Sequence, residues 1–131
     1  MGMSAYSVVK AYKGSAALTA YTIVKFGSAD DTVSPATAST DLLYGVVNEL
    51  SLSAADVTAG ATADVTVSGP AEVVLGGSVT RGQKLTANAS SQAIAAAPSA
   101  GSNAQIIGIA QKSGVSGDII PLLVAPSVMQ G

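Results

Sequence analysis

The chain contains no cysteine and no histidine. Without cysteine there is no disulfide, no thiolate nucleophile and no cysteine-held metal, and the redox compartment is left open. Without histidine the commonest general base near neutral pH is gone, together with the commonest metal ligand. Serine–histidine and cysteine–histidine nucleophile systems are therefore excluded. Tryptophan is absent too, and aromatic residues amount to 4%. Charged residues make up 11%, against about 25% in ordinary soluble domains. No long apolar run occurs: "IIPLLVAP", near the end, carries two prolines and is far too short to span a bilayer. The N-terminal "MGMSAYSVVKAYKGS" has no continuous apolar core of the kind a signal peptide needs, so the chain is expected to stay in the cytoplasm where it is made.

What remains is a chain of 131 residues, 48% hydrophobic, with a formal charge of −2. That length suits one domain with a core of its own. Its apolar content is alanine, valine, leucine and isoleucine, which fit thin strand-rich packing better than an aromatic-lined pocket. The mean hydropathy is +0.47. Two surfaces fit such a composition: a monomer coated in Ser, Thr, Asn and Gln, or a subunit largely covered by partners.

Along the chain, residues 1–16 form a distinct segment with Lys10 and Lys13 and no acid before Asp30. It reads either as a frayed terminus or as an arm that orders on a partner. "ALTAYTIVKF" (17–26) reads as a strand, and "GSADDTVSPATASTD" (27–41) as a long polar loop. "LLYGVVNE" (42–49) is a second strand, and "LSAADVTAGA" a turn with Ser53 as a candidate N-cap. "TADVTVSG" (62–69) alternates, with Ala63, Val65 and Val67 on one face and Thr62, Asp64 and Thr66 on the other. "AEVVLGG" and "SVTRGQKLTAN" follow, each punctuated by turn glycines, Gly77 and Gly82 among them. "SQAIAAAPSAGSNA" reads as a strand and loop or a short helix, ended by Pro98 and the Gly/Ser run behind it. "QIIGIAQK" and "DIIPLLVAP" close the domain as strands. Pro121 lacks an N–H and predicts an edge position or a bulge. "SVMQG" (127–131) is expected to fray. Short strands with frequent turns predict an all-β fold, a small barrel or sandwich-like domain.

The two halves echo each other. "LYGVVNE" parallels "IIGIAQK", with Ile23 and Leu85 standing at similar distances ahead. Asp64 and Asp118 each open an apolar strand. Gly45 and Gly108 therefore read as equivalent bends of a pseudo-repeated barrel.

Candidate chemistry is sparse. "GIAQKSGVSGD" has the glycines and lysine of a phosphate loop, but Lys112 precedes Gly114 and Gly117 and a strand follows, so it reads as a turn. Arg81 and Lys84 flank tight turns without aromatic neighbours, which makes a poor nucleic-acid site. Asp30 and Asp31 have no third ligand at a fixed spacing, so no metal is expected. No cofactor, nucleic acid or membrane partner is expected, and the chain does not read as an enzyme. "NAS" at Asn88 matches a glycosylation sequon that has no meaning without export.

"VSGPAEVVLGGSVTRGQKLTANASSQAIAA" followed by "IIGIAQKSGVSGDIIPLLVAPS" resembles the head-decoration, or capsid-cement, proteins of tailed bacteriophages, and "YTIVKF" with "LLYGVVNE" resembles their N-terminal half. The resemblance implies a β-tulip-like domain (17–126) that binds the outside of an expanded capsid and clamps adjacent major capsid protein subunits, as a trimer or else a dimer. It implies no catalytic residues. It also implies an extended N-terminal arm (1–16) touching the capsid, for which Tyr6, Val8, Val9, Lys10 and Tyr12 are the candidate contacts. Gly45, Gly77, Gly82, Gly108 and Gly117 are then structural turn or bulge glycines. A different non-enzymatic virion module, from a tail, spike or adhesin, is the alternative.

Overall fold

The structure, a computed structural model, describes residues 7–15, 17–48 and 62–131. Nine strands occur among them: β1 (Val8–Gly14), β2 (Ile23–Phe26), β3 (Thr32–Pro35), β4 (Leu43–Val47), β5 (Thr62–Val74), β6 (Lys84–Ala87), β7 (Ala93–Ala95), β8 (Asn103–Ala110) and β9 (Ile119–Gln130). They are hydrogen-bonded in the order β1-β3-β2-β4-β5-β9-β8-β6-β7, and β1 also pairs with β5. The ring β1-β3-β2-β4-β5 is thus a closed barrel. Beyond it the strands β5-β9-β8-β6-β7 curl into a second, joined from Leu75 to Ala93 by one parallel bridge. The fold is all-β, as expected.

The second barrel repeats the first. In each, the first and third strands are parallel and the other pairings are antiparallel: β1–β3, β2–β3, β2–β4, β4–β5 and β1–β5 are matched by β5–β7, β6–β7, β6–β8, β8–β9 and β5–β9. The match extends to single hydrogen bonds. Tyr21 N–H donates to Val47 O and Gly82 N–H to Ala110 O, both at 2.8 Å. Asn48 N–H donates to Asp64 O and Gln111 N–H to Pro121 O, both at 3.0 Å. Left-handed backbone recurs at matching places, Tyr21 with Gly82 (φ 64 and 93) and Asp31 with Ser91 (φ 61 and 62). The echo between "LYGVVNE" and "IIGIAQK" is therefore the trace of a doubled barrel. Two finer points of it need correcting. Val24, not Ile23, is the counterpart of Leu85, because Val24 pairs with Gly45 as Leu85 pairs with Gly108. Asp64 corresponds to Pro121 rather than to Asp118.

Each barrel has its own interior. Leu18, Val24, Val33, Val47, Ala63 and Val65 fill the first. Leu85, Ile107, Ile120, Leu122 and Val124 belong to the second, larger cluster. Ile23, Ala36, Leu43 and Val46 belong to that second cluster although they come from the first barrel. The outer face of β2 and β4 is thus buried against the neighbouring barrel, while the interior of the first barrel is a separate cluster.

Several boundaries differ from the sequence expectation. The segment Val8–Gly14 is a barrel wall rather than a free arm, because Val8–Lys13 pair with β5 and Lys13 and Gly14 pair with β3. The strand expected over 17–26 begins only at Ile23, since Tyr21 sits in left-handed backbone that interrupts an extended run. The loop 27–41 contains β3, which closes the first barrel. "TADVTVSG" and "AEVVLGG" are a single strand: Gly69 (φ 97) re-aims the chain without turning it back. The tail 127–131 does not fray, because Ser127–Gln130 pair with Asn103–Ile106 and Gly131 N–H reaches Ser102 O at 2.8 Å. Pro121 is neither at an edge nor at a bulge but between β5 and β8. Its carbonyl accepts from Gln111, just past the end of β8, so its missing N–H faces the point where the ladder stops. Ser53 lies outside the described residues.

Candidate interaction surfaces

The turn "KSGVSGD" is built by its own backbone. Asp118 accepts from Val115 N–H through Oδ2 at 2.9 Å, and Val115 O accepts from Asp118 N–H at 3.0 Å. Gly117 N–H donates to Leu75 O, and Asp118 O accepts from Leu75 N–H, both at 2.8 Å. The loop is thereby sewn to the end of β5. Its carboxylate is spent on a turn, and no helix N-terminus faces it. Asp118→Ala removes one acceptor and is expected to cost about 1 kcal/mol. A thermal melt with an unchanged midpoint would show that the backbone bonds alone hold the turn.

The proposed glycines divide by role. Gly45 and Gly108 occupy equivalent places, and each faces a carbonyl of the next strand. A Cβ on Gly45 would meet Thr66 O at 2.5 Å, and one on Gly108 would fall against Leu123 O with Leu123 C at 2.9 Å. Gly82 and Gly117 both have φ of 93°. Gly77 has ordinary room, its nearest neighbour being Ile94 Cγ2 at 3.7 Å, so close approach does not require glycine there.

Of the contact residues expected on the arm, Tyr6 lies outside the described residues. Val8, Val9 and Lys10 are exposed on the barrel wall formed by β1, whereas Tyr12 turns inward. Its ring meets Tyr44 edge-on with centroids 5.3 Å apart, and the two hydroxyls are in hydrogen-bond contact. Phe26 lies over Tyr44 at 4.4 Å. The hydrogen bond with Tyr12 and partial burial push the Tyr44 phenol above 10.0, while the Lys10 charge opposes the shift. These aromatics close the outer end of the first barrel. Leu42 stands exposed after Asp41, whose carboxylate takes Thr37 N–H at 2.8 Å, Ala38 N–H at 3.2 Å and Lys25 Nζ at 3.5 Å. Burial raises the Asp41 pKa, but those partners outweigh it and hold the acid below 3.8.

Sequence reasoning missed two apolar surfaces. One is Phe26 with Leu42, 55% and 63% exposed; the other is Ile109 with Leu123, paired across β8 and β9 and each 38% exposed. The signal for the second was present: "IIGIA" and "IIPLLV" are apolar on both faces, as strands with both sides covered are. A groove of about 560 Å³ at the waist is lined by Ser7, Val9, Thr66, Pro70, Glu72 and Pro121, among others. Ser7 Oγ is bonded to Pro70 O at 2.7 Å and Thr66 Oγ1 to Asn48 Oδ1 at 2.5 Å. Glu72 is the one carboxylate in that lining, so the paired carboxylates that acid–base chemistry uses are not supplied there.

No protein-family model and no curated protein matches the chain. Among solved structures, the head fiber gp8.5 N base of bacteriophage phi29 matches it with a TM-score of 0.60 at 15% identity, over 92% of this chain and 95% of that one. The two proteins share a fold over that length.

Proposed function

We propose that this chain is a non-enzymatic structural protein of a tailed-phage virion, bound to the outside of the head. The observation that carries the reading is the likeness over 92% of the chain to a head fiber base. A composition without histidine or cysteine supports it from the chemical side. In this reading the protein clamps adjacent major capsid protein subunits and catalyses nothing, and many copies over a shell multiply weak contacts into firm attachment. It assembles with itself, as a trimer before a dimer. The capsid-facing residues are Val8, Val9 and Lys10, now placed on an exposed barrel wall. Val8 and Val9 are 51% and 44% exposed, an apolar pair suited to burial against a partner.

The test mixes purified protein with expanded heads that lack it and images them by electron cryo-microscopy. Added density on the outer shell is expected. Val8→Asp combined with Val9→Asp is expected to reduce occupancy at least about tenfold, as removal of an interface anchor does. Bare heads after mixing with the parent protein would overturn the reading. Full occupancy by the double variant would remove β1 from the contact.

A further inference from the structure

We propose that the outer face of the second barrel, around Ile109 and Leu123, docks the aromatic end of the first barrel of another copy of this chain, head to tail. The junction between the two barrels within one chain is the template. There the outer face of β2 and β4 (Ile23, Leu43 and Val46, joined by Ala36) is between 0% and 5% exposed. It shares one cluster with Ala87, Ile107 and Val124 at an end of the second barrel. Polar bonds seal the junction: Ile23 N–H donates to Ser91 O at 2.8 Å, Gln105 N–H to Ser39 O at 2.7 Å, and Ser91 Oγ–H to Ala36 O at 2.5 Å.

Because the barrels repeat, each half of that junction has a counterpart. Ile109 stands where Val46 does, Leu123 where Thr66 does, and Lys84 where Ile23 does. Ile106, in the place of Leu43, is already buried within the chain, whereas Ile109 is 38% exposed and Leu123 beside it is exposed to the same degree. In the first barrel Phe26 corresponds to Ala87 and Tyr44 to Ile107, and Phe26 is 55% exposed. The chain therefore carries a partly open face equivalent to the one it buries internally, and a partly open barrel end equivalent to the one that receives it.

Charge points to the same occupant. Ser91, which reaches the backbone of Ile23, has Asp31 as its counterpart, with nearly the same φ of 61°. Where Ser91 meets Ile23 inside the chain, Asp31 of one copy would meet Lys84 of the next, an opposite-charge pair across a junction that is otherwise apolar. Phe26 and Tyr44 are bulkier than Ala87 and Ile107, so they fill part of the receiving end themselves and the contact between copies is shallower than the one within a chain. It is heterologous, so it builds rings or chains of copies rather than two-fold pairs.

This inference deepens the self-association in the proposed function, but it is tested on purified protein without heads, so either can fail alone. Sedimentation equilibrium of the parent protein is expected to show mass rising with concentration. Leu123→Asp and Phe26→Asp alter exposed positions in different barrels, and each is expected to weaken association at least about tenfold. An equimolar mixture of the two variants is expected to form one-to-one dimers that grow no further, since one intact face and one intact end remain. A parent protein that stays monomeric, a variant that associates like the parent, or a mixture that stays monomeric would each overturn the proposal. Far-ultraviolet circular dichroism checks each variant's fold, and Ile109→Asp replaces Leu123→Asp if the latter is unfolded.

Discussion

Alanine at Gly108 is expected to destabilise the protein by about 3 kcal/mol, at the upper end of what overpacking costs, and valine there to prevent the second barrel from closing. The reason lies in what the added carbon would meet. A Cβ on Gly108 falls against the Leu123 carbonyl, and Val124 Cα is 3.2 Å away. Both belong to the backbone of β9, which is held between β5 and β8 and cannot swing aside. Gly45 offers the matching test with a smaller effect. Its added carbon would meet Thr66 O at 2.5 Å and the buried Val65 Cγ1 at 2.6 Å, less severe overlaps than the one at Gly108. Alanine there is expected to cost about 1–2 kcal/mol. Urea unfolding of the two variants measures both values. A Gly108→Ala protein as stable as its parent would mean that β8 and β9 do not approach so closely.

The second large effect concerns the core. Leu122 is fully buried in the cluster that spans both barrels. Leu122→Ala is expected to cost about 3 kcal/mol in lost burial and residual cavity. At this chain length that corresponds to a fall of roughly 10 °C in the melting midpoint. The melt should remain a single transition, because β5 belongs to both barrels and Ile23, Leu43 and Val46, on the outer face of the first barrel, are buried in the core of the second. Two separated transitions, with the first barrel surviving, would contradict that coupling.

Much of this architecture was legible in the residues. The alternation of Ala63, Val65 and Val67 against Thr62, Asp64 and Thr66 placed the first half of β5, although Thr66, bonded to Asn48, is buried. The paired glycines in "LYGVVNE" and "IIGIAQK" located the repeat, because a glycine required by close backbone approach is conspicuous in an apolar run. Other features were hidden by non-local pairing. Nothing near Val8–Gly14 shows that its partner is Thr62–Ser68, far along the chain. Gly69 and Pro70 look like a turn, yet the strand continues because its ladder passes from β4 to β9 at that point. Pro121 misled for a similar reason: its missing donor matters only where a neighbour expects it, and β8 has ended there. The candidate surface was less legible. "IIGIA" and "IIPLLV" show that both faces of these strands are apolar, but whether the outer face is covered depends on what lies outside the second barrel.

The continuity of β5 also bears on mechanical load. A force applied to one barrel along that strand passes directly into the other through covalent backbone. To separate the barrels, the ladder bonds flanking β5 must be sheared together rather than opened one after another. That arrangement resists stretching most strongly along the line joining the two halves.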